Sequence, residues 1–209
     1  MAFVTVAGMA LVAVPAQAAP GDAVAAGSAG AVSITRGDKA PVVLDPVAPC
    51  STDGTPQGSA GNVSVPDVIS FADTTSTCTI DAAGEVASAE VTGGRFRFDA
   101  LEEHGGPRLR LATYTVRCDT TLKGSGSTLG FTGLTGVRVP EELPPNHLVT
   151  IPGGPDGKPM ATVTFNEVVS PNPADGSMTV HLMHLRMFPE GGPATGDAYA
   201  GTVHCAPPR

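Results

Sequence analysis

The sequence predicts an all-β chain: a single antiparallel, β-sandwich-like domain of about ten short strands closed by two disulfides. Three observations lead there. Gly (26) and Pro (20) are plentiful in 209 residues, favouring many turns and short elements. Apolar residues recur with the period of two that places alternate side chains on opposite faces of a strand. No window of helical periodicity reaches a persuasive length.

The elements follow in chain order. Residues 1–18, MAFVTVAGMALVAVPAQA, are apolar and uncharged, and Ala16-Gln17-Ala18 matches the small-x-small ending of a cleavable signal peptide. Their length could also span a bilayer, so a retained anchor is the alternative. Residues 19–40 are Ala/Gly-rich and weakly patterned, which predicts a flexible N-terminal segment with at most a strand at Ala31–Ile34. The folded domain is expected over 41–209.

Val42–Val47 and Val63–Phe71 read as strands between turn residues, then Glu85–Val91 and Arg95–Asp99 split by Gly93-Gly94. GRFRFDA alternates cleanly, Phe96 and Phe98 against Arg95 and Arg97. In LRLATYTVRC, Leu109 and Leu111 share one phase while Tyr114, Val116 and Cys118 take the other. That switch predicts a bulge or a strand changing partners. Asp119–Ser127 reads as loop, Leu129–Val139 as an extended stretch, and PEELPPN is barred from a central strand by its prolines. The last third is clearest: His147–Ile151, Ala161–Val169, Thr179–Phe188 and the closing DAYAGTVHC, with the loop SPNPADG joining the second and third.

Charge excludes one class of function. Twenty acidic and 12 basic residues give a net charge of −8, and the nine arginines are dispersed, which argues against nucleic acid as a partner. No segment after residue 18 is apolar enough to span a membrane, so the processed chain is expected to be secreted and extracellular. Any partner is then expected in the cell envelope or outside the cell.

Cys50, Cys78, Cys118 and Cys205 form an even set without CxxC or a zinc-like spacing. Two disulfides in an oxidising compartment follow, and four cysteines allow three pairings. Chain order favours Cys50–Cys78 around a loop-rich stretch and Cys118–Cys205 between a central strand and the last one.

Catalytic signatures are missing: no G-x-S-x-G elbow, no H-E-x-x-H, no phosphate-binding lysine loop. With two Tyr and no Trp there are few platforms for a sugar cleft. No catalytic residue and no cofactor is assigned. The residues that invite a site are His181 and His184 in TVHLMHLRMF. If that run is a regular strand, side chains three apart diverge and the pair cannot act together. Each histidine then sits on a largely apolar face as a neutral, hydrogen-bonded group. Glu167 lies on the preceding strand, where the hairpin register brings it near both rings. A Glu–His contact would satisfy each group and raise the imidazole pKa. The alternative is an extracellular hydrolase or metal-binding domain using Glu167 with His184 or His204.

The C-terminal half resembles the choice-of-anchor P family of bacterial extracellular proteins. The residues carrying the likeness are Pro145-Asn146-His147-Leu148-Val149-Thr150-Ile151-Pro152-Gly153, then Phe165-Asn166-Glu167, then Met178–Leu185, and Gly196-Asp197-Ala198 through to Cys205. Phe165 stands where the family pattern has Leu, and Met183 where it has Ala before the histidine. The resemblance implies an exported protein without an assigned catalytic activity, in a family whose members carry different surface-anchoring tails. This chain ends in Ala206-Pro207-Pro208-Arg209 without a sorting motif or hydrophobic tail, so release or non-covalent retention is expected. The resemblance also favours Cys118–Cys205.

Overall fold

Alternation of apolar and polar side chains carries most of the chain into antiparallel strands. The structure, a computed structural model, describes residues 21–209 and holds 16 strands there. The expected signal peptide, 1–18, lies outside the described residues. In chain order the strands are β1 (Val24–Arg36), β2 (Lys39–Val47), β3 (Cys50–Ser51), β4 (Gln57–Ala60), β5 (Val63–Val65), β6 (Ile69–Ala72), β7 (Thr74–Ile80) and β8 (Ala87–Gly93). Then come β9 (Arg95–Phe98), β10 (Leu109–Leu111), β11 (Thr113–Thr121), β12 (Gly124–Thr132), β13 (His147–Ile151), β14 (Ala161–Val169), β15 (Met178–Met187) and β16 (Ala194–Ala206).

A seven-stranded front sheet runs β13-β14-β15-β16-β1-β2, with β3 also paired to β1. A five-stranded back sheet runs β12-β11-β8-β7-β4, and a four-stranded corner sheet runs β10-β9-β6-β5. Back and corner sheets share their chain segments. Asp73 alone joins β6 to β7, Gly94 joins β8 to β9, and Ala112 joins β10 to β11. Each long segment therefore bends once and passes from one sheet to the other. This is the partner change anticipated from the phase switch in LRLATYTVRC. It also accounts for three of the six strands beyond the expected ten, since a bent strand counts twice.

Between the sheets lies one apolar core. Phe71, Phe96, Phe98, Leu109 and Leu111 enter from the corner sheet, Val91 and Val116 from the back sheet, and Val163, Phe165, Leu185 and Val203 from the front sheet, all at most 2% exposed. The Tyr114 hydroxyl crosses the core and donates to the Ala29 carbonyl (3.0 Å). Burial pushes that phenol well above the usual tyrosine range. Both disulfides join the two sheets: Cys50 of β3 to Cys78 of β7, and Cys118 of β11 to Cys205 of β16.

Four expectations are corrected. The segment 19–40 is not a flexible lead: β1 runs through its middle as a 13-residue strand flanked by β16 and β2, with Ala23, Ala25 and Ala29 wholly buried. Its small residues serve close packing, since a Cβ on Gly27 would lie 2.8 Å from the Val91 side chain. Asp119–Ser127 is not loop, because β11 and β12 continue to a tight turn at Leu122-Lys123. Val63–Phe71 divides into β5 and β6. The extended stretch expected over Leu129–Val139 ends as strand at Thr132, the chain beyond it making only an isolated bridge from Thr135 to Arg110.

Candidate functional site

The site follows from a fault line in the front sheet. In β15 the buried apolar side chains are Val180 and Leu182, then Met183, Leu185 and Met187. Alternation thus slips by one residue at Leu182-Met183. The neighbours slip at the same level. β16 turns Ala198 and Ala200 inward and then Gly201 and Val203; β1 buries both Ala29 and Gly30.

Register is kept throughout. Phe165 faces Met183 and Glu167 faces His181, while Met183 faces Ala200 and His181 faces Thr202. Asn166, Leu182, Gly201 and Ala29 therefore form one row across β14, β15, β16 and β1. Asn166 (φ 51°) and Gly201 (φ 61°) are in the left-handed region. A left-handed residue inside a strand reverses which side chains face the core without breaking the ladder.

The slip leaves residues three apart on the same outer face. Contrary to the expectation of divergence, His181 and His184 stand side by side, ring centroids 6.1 Å apart. The local structure is strand, as expected, but its alternation is not regular. Tyr199 from β16 stacks on His184 at 4.4 Å and 22°, and covers His181 at 4.6 Å. The face is polar and self-covering rather than apolar and covered by a second layer.

The polar groups pair closely. His184 Nδ1 donates to both carboxylate oxygens of Glu167 (2.9 Å each), and Nε2 donates to Asp197 Oδ1 (2.8 Å). Arg186 Nε also donates to Asp197 Oδ1 (3.1 Å), which holds the guanidinium pKa above its ordinary value. His181 Nδ1 shares a hydrogen bond with Thr202 Oγ1 (2.9 Å), and its Nε2 is 3.9 Å from Glu167 Oε2.

Burial lowers the His181 pKa to about 4, outweighing the attraction of Glu167 and reinforced by His184. The Glu167–imidazole contact expected from the hairpin is present at His184. Burial, with Asp197 and Glu167 nearby, holds the Tyr199 phenol above its ordinary pKa.

Of the three residues named from sequence for an ion or hydrolytic site, Glu167 and His184 meet. His204 instead hydrogen-bonds Thr179 through Nδ1 (3.0 Å). Asp197, Tyr199 and Arg186 are the participants that sequence reasoning missed. Gly196-Asp197 was visible as a motif, but its place opposite Arg186 depends on the β15–β16 register. Among the described residues no group of three or more His, Cys, Asp or Glu is arranged to hold a metal ion, and no helix is long and apolar enough to cross a membrane. In comparisons of the chain with protein-family models, with curated proteins and with solved structures, nothing matches.

Proposed function

We propose that this is an exported bacterial protein with a structural or binding role at the cell exterior, and that the histidine cluster clamps strands rather than turning over a substrate. One observation carries the reading. Glu167, His184, Asp197 and Arg186 form a linear chain in which both His184 nitrogens and the facing carboxylate oxygens are engaged with one another. A general base or metal ligand needs a free lone pair aimed at substrate or ion, and both His184 nitrogens are already engaged by carboxylates.

Two further features support the setting. Both disulfides belong to an oxidising compartment. The resemblance of 145–205 to choice-of-anchor P proteins points to the bacterial surface.

The second reading, a metal site or hydrolase, draws on the approach of Glu167 to both His184 and His181. Metal analysis of the protein purified from a secreting host separates the two. The proposal expects a chain beginning at Ala19 in the culture medium, with well under one equivalent of bound transition metal. One equivalent of zinc, lost in Glu167→Ala, would establish the second reading; an unprocessed chain held in membranes would overturn release.

A further inference from the structure

The arginines that look dispersed in the sequence are gathered by the corner sheet. Its register sets Ser64 opposite Ser70, Ser70 opposite Arg97, and Arg97 opposite Arg110; a bridge then sets Arg110 opposite Thr135. These five side chains form one polar row across the outer face. Arg95 lies two residues from Arg97 on that face. Along the row runs an open groove of about 630 Å³, within the range of small-ligand sites. Three arginines line it and no carboxylate does, in a chain of net charge −8.

Two features mark the row as more than a solvated face. Like charges directly opposite on an antiparallel pair are destabilising, yet Arg97 and Arg110 are set opposite each other. Arg97 is held by Asp99 (Nε–Oδ2 2.8 Å), but Arg110 has no carboxylate within ion-pair distance among the described residues. Arg95 has only the exposed Asp73 at 3.8 Å. Unneutralised guanidinium forks beside hydroxyls are suited to bidentate carboxylates.

We propose that this groove binds an acidic polysaccharide, its uronate carboxylates on Arg95 and Arg110 and its hydroxyls on Ser64, Ser70 and Thr135. The floor is a sheet face, so the backbone groups of β6 and β9 are already used in their ladders and give an extended peptide little to pair with. Recognition must come from side chains. Phe71 and Phe96 also line the groove but are only 1% and 2% exposed, so a neutral sugar finds little aromatic face to stack on. Charge, not stacking, selects the ligand.

This deepens the binding half of the proposed function at a separate place, and its failure would leave export and the histidine clamp untouched. Calorimetric titration with trigalacturonate, maltotriose and a triglutamate peptide tests it. Trigalacturonate is expected to bind in a salt-sensitive manner. Arg110→Gln and Arg95→Gln should each weaken it at least fivefold and the double variant at least twentyfold, with thermal midpoints unchanged. Arg209→Gln, at an exposed arginine outside the groove lining, should bind as the parent does. No heat with trigalacturonate, equal affinity for maltotriose or triglutamate, or undiminished binding by the double variant would each overturn the proposal.

Discussion

His181 and His184 share a strand and a carboxylate neighbour but differ in what their nitrogens meet. His184 is pinned between Glu167 and Asp197; His181 is tied to Thr202 and covered by Tyr199. The pKa of His181, lowered to about 4, sets a pH dependence. The unfolded chain takes up this proton near pH 6.5, whereas the folded chain resists it until near pH 4. The contribution is therefore fully present above pH 6.5 and is lost as pH falls toward 4, by about 3 kcal/mol at most. Urea unfolding at pH 7.0 and 4.5 should show the parent losing more stability than His181→Gln. Equal losses would remove the assignment. That Glu167 lies near the histidines was legible in the sequence, because a short loop between the two strands fixes the hairpin register; that it bonds His184 as well depends on the slip in alternation. The roles of Asp197 and Tyr199 were not legible, since they arrive from a third strand.

At the scale of elements, the slip in alternation across β14, β15, β16 and β1 is the feature on which the cluster depends. Gly201 shows why particular residues stand there. It has φ 61°, and a Cβ would lie 2.8 Å from Val116 and 3.2 Å from the Leu182 Cβ. Gly201→Val combines a left-handed β-branched residue with overpacking and should cost at least about 2 kcal/mol. Gly130→Val, on the open face of β12 with nothing within 4 Å of its added Cβ, should change the chemical-denaturation midpoint little. If both variants unfold alike, the row is not the constraint. The same close packing explains β1. Its Ala/Gly run was read as flexible because small residues carry weak strand propensity, but a centre crowded by Val91, Phe71 and the Cys50 sulfur admits little else.

For the whole molecule the disulfides decide how firmly the two layers are held. Cys118–Cys205 spans 87 residues and Cys50–Cys78 spans 28. Loop-closure entropy ranks them: about 4–5 kcal/mol for the longer and about 3–4 kcal/mol for the shorter. Paired Cys→Ala variants compared by urea unfolding should follow that order. A larger loss at Cys50–Cys78 would mean that local packing, not chain entropy, governs the bridges. Cys118–Cys205 also joins two long strands, β11 and β16, each paired on both sides, whereas Cys50–Cys78 fastens the two-residue β3.

Composition and period-two patterning were enough, by themselves, to determine an antiparallel all-β chain. The even cysteine set was enough for two bridges, and hairpin register brought Glu167 to the histidines. Those features are local, or follow from counting, and need no knowledge of distant partners. Tertiary structure alone decided that the bent segments share two sheets, that β1 is a central strand, and that alternation slips along a row of four strands. It also decided that four distant residues, Ser70, Arg97, Arg110 and Thr135, stand abreast. The physical reason is common to all: each depends on which strand lies beside which, and that choice is made by packing between layers rather than by any one strand's own residues.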